Sequence, residues 1–264
     1  QGLAREYFSE LIEQLDGVGV TARPTTATGE LVDTVVARAS AGGFDLMALA
    51  VGEPHPVVRH LTESPSEKIR VRSPIPMLIL NGRMAGKKDR TDVPLSRLLV
   101  ALNGTRVSEF ALPYVRRVAR AGNLPITLLR IVPEIDGFNH AAVLSSTAPR
   151  FVQGAVQVAE EYLEEQATQL AEEGFDVRTK VAVGPAAQTM VDIQDAEPEH
   201  LLVMGSVVRS GWQRAMLGCT ADEVVRTSGR PLLLIPAGRR PGPTDSDEAE
   251  DAEPTSATNG STAS

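Results

Sequence analysis

One stretch, Met204-Gly205-Ser206-Val207-Val208-Arg209-Ser210-Gly211-Trp212, continuing to Gly218-Cys219-Thr220, gathers the residue types that could hold an anion. It leaves an aliphatic run, His200 to Met204, that reads as a strand, and it leads into a helix. Glycines let backbone N–H groups approach a phosphate, and the positive end of a following helix favours the negative charge. In an open α/β sheet this carboxyl edge is where ligands bind, at the reversal of strand order. Cys219 could be an activated thiolate beside that helix, but a lone cysteine reads more simply as a small packing residue. His55, His60, His140 and His200 have no metal-ligand spacing with it and read as surface or hydrogen-bonded side chains. Trp212 reads as an anchor for the loop. No Ser/His/Asp, Cys/His or paired-acid arrangement stands out, so the chemistry indicated is binding and not catalysis.

The elements that must position this stretch follow from the pattern around it. Leu98 to Leu102 is an apolar run ended by Asn103-Gly104, a buried strand and a turn. Thr105 is placed to cap a helix whose apolar positions are Val107, Phe110, Ala111, Tyr114, Val115 and Val118. Gly122-Asn123 stops that helix, and Ile126 to Val132 is the next strand. Pro133 to about Arg150 reads as a long loop. A helix follows from about Phe151 to Glu173, with Glu160, Glu161, Glu164 and Glu165 on its solvated face. Phe175 to Val183 reads as a third strand, Gly184-Pro185 opens a helix, and Pro231 to Ile235 is the fifth strand. Strands alternating with helices imply a parallel sheet covered on both faces.

The chain also matches itself at a constant offset of 155 residues, without a gap. Ala4, Glu6 and Tyr7 fall on Ala159, Glu161 and Tyr162; Leu15 on Leu170; Gly19 on Gly174. Gly29 meets Gly184, Thr34 meets Thr189, and Ser73 and Pro76 meet Ser228 and Pro231. One offset held over about 80 residues reads as a duplication. By the offset the first copy contributes three strands: one near residues 20–28, Asp45 to Leu49, and Met77 to Leu80. Roughly sixty residues that open the second copy have no counterpart after Gln1, and a Gln start suggests a fragment. The expected organisation is a partial unit at 1–81, a linker at 82–95, a complete unit at 96–237 and a disordered acidic tail at 238–264.

With these residues in view, the chain resembles the universal stress protein family, over about 1–80 and 96–237. That family carries glycine, two residues, glycine, nine residues, then glycine and Ser or Thr; Gly205 and Gly218 stand at the outer positions here. Arg214, Leu217 and Ser228-x-x-Pro231-Leu232-Leu233-Leu234-Ile235 are similar as well, and Val100-Ala101-Leu102-Asn103-Gly104-Thr105 resembles the family's Val-Ala-x-Asp-Gly-Ser. The resemblance implies a doubly wound parallel α/β sheet of the adenine nucleotide alpha hydrolase-like kind, in two tandem copies. It implies ATP or another adenine nucleotide in the second copy only, within reach of Asn103, Gly104, Thr105, Ile131, Met204, Gly205, Val208, Gly218, Cys219 and Thr220. Three positions depart from the pattern. Val208 replaces the middle glycine, and its branched side chain crowds a phosphate. Cys219 replaces Ser or Thr as a poorer donor, and Asn103 replaces the family's aspartate. In the first copy the motif positions hold Ala50, Glu53 and Glu63, with only Ser64 matching; two carboxylates repel phosphate.

The resemblance further implies that the fifth strands of the two copies pair within the chain, as they do in homodimers. Met77–Leu80 and Pro231–Ile235 would then lie side by side, and the truncated copy would have an open edge. A homodimer is the alternative assembly. The net charge is −8, of which half belongs to the tail: Asp245, Asp247, Glu248, Glu250, Asp251 and Glu253 against Arg239 and Arg240. No basic patch indicates nucleic acid, and no apolar run nears the ~18 residues of a membrane span. The expected role is a cytoplasmic stress-response module acting through dimerisation and adenine-nucleotide binding. A regulatory domain cut from a membrane transporter and a nucleotide-hydrolysing or nucleotide-transferring enzyme are the alternatives.

Overall fold

A computed structural model describes residues 2–51, 64–81, 94–133, 148–207 and 220–237. The strands are β1 (Met47–Val51), β2 (Met77–Asn81), β3 (Arg97–Ala101), β4 (Ile126–Val132), β5 (Val177–Val183), β6 (His200–Val207) and β7 (Leu232–Ala237). The helices are α1 (Gly2–Gly17), α2 (Leu31–Ser40), α3 (Pro65–Arg72), α4 (Arg106–Glu109), α5 (Leu112–Gly122), α6 (Ala148–Glu172), α7 (Ala186–Ala196) and α8 (Thr220–Thr227). All strands join one sheet in the order β1-β2-β7-β6-β3-β4-β5. Every neighbouring pair is parallel except β2 and β7, which run antiparallel with Met77 opposite Leu234 and Ile79 opposite Leu232.

The aliphatic runs are continuous because both faces of the sheet are covered. Leu98, Val100, Leu128 and Val203 face α5 and α6, packing on Val115, Leu163 and Leu170. Leu99, Leu129, Leu202 and Leu234 face the other way, onto Met190 and Val191 of α7 and Val224 of α8. Fully burying one such side chain contributes roughly 1.5–3 kcal/mol. In residues 1–81 the buried apolar set among the described residues is shorter: Val32, Ala39, Ile69, Met77 and Ile79.

Two expectations are corrected. Residues 20–28 form no strand. Their counterpart β5 hydrogen-bonds only to β4, and the described chain has no counterpart of β4 before residue 20. A lone strand without a ladder leaves its backbone groups to water, so the alternating pattern there has nothing to pair with. Residues 1–81 therefore contribute two strands among the described residues. The helix after Thr105 is also split, into α4 and α5, with Pro113 in the first turn of the second. Proline cannot donate the helical hydrogen bond to Glu109, and its ring disfavours continuation. Phe110, expected on the apolar face, lies at the break and is 37% exposed.

Local geometry recurs at the 155-residue offset. Gly19 and Gly174 close their helices with positive φ (81° and 90°), and Val20 N donates to Leu15 O as Phe175 N donates to Leu170 O. Ser73 N donates to Ile69 O at 2.8 Å, and Ser228 N to Val224 O at 2.8 Å. Each serine Oγ then accepts from the N–H two residues on, Ile75 or Arg230, and donates to that residue's carbonyl. Ser228 does more: its Oγ also donates to Gln194 Oε1, whose Nε2 donates to Pro231 O. That buried set ties α7 to the start of β7. The linker at 82–95 (through residue 93) and the tail lie outside the described residues.

Candidate functional site

The carboxyl ends of β3, β4 and β6 are brought together by register: Ala101 lies opposite Leu129 on one side and Met204 on the other. Past β3 the chain makes a tight turn on Asn103. Its Oδ1 accepts from Thr105 N at 3.1 Å and from Thr105 Oγ1 at 2.6 Å. Gly104 between them has φ +77°, a left-handed conformation that glycine adopts without strain. Thr105 occupies the N-cap of α4, but its side chain does not cap; the hydroxyl is spent on Asn103. Its carbonyl instead accepts from Ser108 N, Glu109 N and Ser108 Oγ.

Gly205 has a role different from the expected phosphate contact. β6 does not end at Met204 but runs on to Val207, pairing Gly205 with Ile235 and Val207 with Ala237. A Cβ at Gly205 would lie 2.2 Å from Val107 O and 3.0 Å from Ser108 Cα. The missing side chain lets α4 sit directly on β6, which fixes the Asn103–Thr105 turn over the sheet edge. Met204 is 5% exposed and packs in the core under α7 and α8, so only its backbone faces the edge. Ile131 is half-buried against the same core. Thr220 begins α8. Val208, Gly218 and Cys219 lie outside the described residues.

Three side chains at this edge escaped the sequence reading. The Arg130 guanidinium lies over Gly104, about where a Cβ would contact it at 3.5 Å. It also lies over the Tyr162 ring, Cζ to centroid 4.9 Å, an attractive cation–π arrangement. Tyr162 Oη donates to Glu109 Oε1 at 2.9 Å. Burial, reinforced by that carboxylate, pushes the phenol well above its ordinary range, so it stays a proton donor. The available signal was a lone arginine inside the aliphatic run Ile126–Val132. The site thus offers a fixed cation and a preformed turn with a glycine at the carboxyl ends of three neighbouring strands. Among the described residues no cluster of three or more His, Cys, Asp or Glu side chains could hold a metal ion.

The model of the universal stress protein family matches residues 94–236, more than half of the chain. The chain belongs to the universal stress protein family. A universal stress protein of Methanocaldococcus jannaschii is 26% identical over 119 residues, which is 40% of this chain and 69% of that one. The fold is similar to the crystal structure of a universal stress protein from Archaeoglobus fulgidus, with TM-score 0.66 and 18% identity over 90% of this chain and 79% of the other. A protein described as functionally unknown from Pseudomonas aeruginosa aligns with TM-score 0.57 and 18% identity, covering 88% and 77%. The doubly wound α/β sheet expected from the sequence is therefore that of a universal stress protein, and the family supports a stress-related regulatory role. No helix among the described residues is long and apolar enough to cross a membrane.

Proposed function

We propose that this universal stress protein is a binding module that takes up an adenine nucleotide at the carboxyl edge of β3, β4 and β6. The observation that carries the reading is Arg130, held over Gly104 beside the Asn103–Thr105 turn. A guanidinium fork beside a tight turn, where glycine lets a ligand approach the backbone, favours a phosphate. Asn103 in place of an aspartate removes a negative charge from the same pocket. Val208 remains the residue that weakens binding, through its branched side chain at the motif's middle glycine position. The reaction class is binding without turnover.

The organisation we propose is a partial unit at 1–81, a linker at 82–95, a complete unit at 96–237 and an acidic tail at 238–264. The recurrence of hydrogen bonds and positive-φ glycines at offset 155 supports two units of common descent. The antiparallel β2–β7 pairing supports their joining inside one chain. An ion pair reinforces the seam, Arg70 Nη1 to Asp222 Oδ1, with the arginine side chain 8% accessible. The nucleotide belongs to the second unit alone, because the first unit's motif positions hold Ala50, Glu53 and Glu63, whose carboxylates repel a phosphate.

Calorimetric titration of ATP and AMP into wild type, Val208→Gly and Arg130→Gln tests this. Val208→Gly should bind more tightly than wild type. Arg130→Gln should lose roughly tenfold or more, the worth of one charged hydrogen bond. No saturable heat from either wild type or Val208→Gly would remove the nucleotide from this account.

A further inference from the structure

The opposite edge of the sheet, where β3 to β6 begin, holds a polar cavity of about 610 Å³. Register delivers its walls: Arg97 on β3 lies opposite His200 on β6, and Thr127 on β4 lies opposite Arg178 on β5. Lys180 of β5 completes three cations around one opening. Two acids, Glu197 and Glu199, line it too. Glu197 is already engaged: one oxygen accepts from Lys180 Nζ at 3.0 Å, and the other lies 2.7 Å from His200 Nδ1. Glu197 also stands at the C-cap of α7, its backbone N–H donating to Ile193 O.

With Lys180 and Glu197 paired, Arg97 and Arg178 stand against Glu199 alone, and the balance is cationic. Arg97 Nη1 is buried and has no hydrogen-bond partner. Neither Arg97 nor Arg178 has a carboxylate within ion-pair distance among the described residues. His200 is 7% exposed, and its Nδ1, though close to Glu197, makes no aligned hydrogen bond. Burial holds its imidazole below the ordinary range, in the neutral form. A guanidinium N–H buried without an acceptor is costly, so native interiors rarely keep one.

We infer that this amino edge is a second ligand site, separate from the nucleotide site, which binds a small molecule through a phosphate group. Two guanidinium forks and the Thr127 hydroxyl outnumber the two oxygens of a carboxylate, whereas a phosphate presents three. Arg97 lines the inner wall, and Arg178 closes the exposed rim. The cavity has room for more than the phosphate alone, so the ligand is a phosphorylated small molecule and not the free ion. Inorganic phosphate is the minimal probe.

The test is a titration of inorganic phosphate into the whole chain at constant ionic strength, followed by backbone amide shifts. Saturable shifts are expected at Arg97, Thr127 and His200, and none at Asn103, Gly104 or Thr105. Arg97→Gln should weaken binding at least roughly tenfold. Should that buried position disturb folding, Arg178→Gln at the rim carries the same test, with a several-fold loss. Absence of saturable shifts in wild type would overturn the inference. So would undiminished affinity in both variants, or shifts confined to Asn103–Thr105. The last result would leave the nucleotide proposal standing while removing this one.

Discussion

Gly205 is the residue whose sequence meaning and structural meaning differ most. Its place in a glycine pattern suggests contact with phosphate, yet its missing side chain makes room for the Val107 carbonyl. Gly205→Ala should therefore act on stability before it acts on binding. Backbone cannot move aside as a flexible side chain can, so a loss of about 1–3 kcal/mol or more is expected from overpacking. Urea unfolding would show it as a lower midpoint with an unchanged slope. Such contacts are invisible in sequence because they join residues from distant segments. The Arg130–Tyr162–Glu109 cluster is the same case: Tyr162 and Glu109 are 53 positions apart, and it takes α6 packed on β4 and α4 packed on β6 to bring them together. Asn103, Gly104 and Thr105 could be read in advance because the turn they make is local.

At the scale of elements, the aliphatic runs located β3, β4, β6 and β7 within a few residues, since a strand buried on both faces needs no partner information to be recognised. The segment at 20–28 shows the limit. Its pattern matches β5, but a strand exists only with a ladder, and the partner is absent from the described chain. The α4–α5 break was written in Pro113 and outweighed by the helical spacing around it. Several element ends are held by charge, which gives a pH dependence. The Arg116 hydrogen bond holds the Glu173 carboxyl below its ordinary 4.5, joining α5 to the end of α6. Lys180 does the same for Glu197 at the end of α7. Both contributions are present above the unfolded-state value and are lost as pH falls through the lower folded value. His200, held below 6.5 by burial, acts in the same direction, since the unfolded chain takes up its proton first. Stability should fall steadily from near pH 6.5 downward. Arg116→Gln should flatten the acid limb in pH-dependent urea unfolding; an unchanged slope would remove Glu173 from the explanation.

At the scale of the molecule, one sheet is continuous through an antiparallel seam, with five parallel strands on one side and two on the other. The seam strands Met77–Asn81 and Leu232–Ala237 were legible as strands because each is a short aliphatic run, whereas their pairing was an expectation from the family resemblance and not from the pattern. On the two-stranded side, β1 pairs only with β2 among the described residues and ends the sheet. On the function proposed above, ligand binding belongs to residues 96–237 and residues 1–81 support them. An ATP titration followed by backbone amide shifts tests this division most directly. The account predicts saturable shifts at Asn103, Gly104, Thr105 and Arg130, with Ala50 and Ser64, the first unit's equivalents of the motif, unmoved. No saturable shift in the Asn103–Thr105 turn, or equal shifts at Ala50 and Ser64, would contradict it.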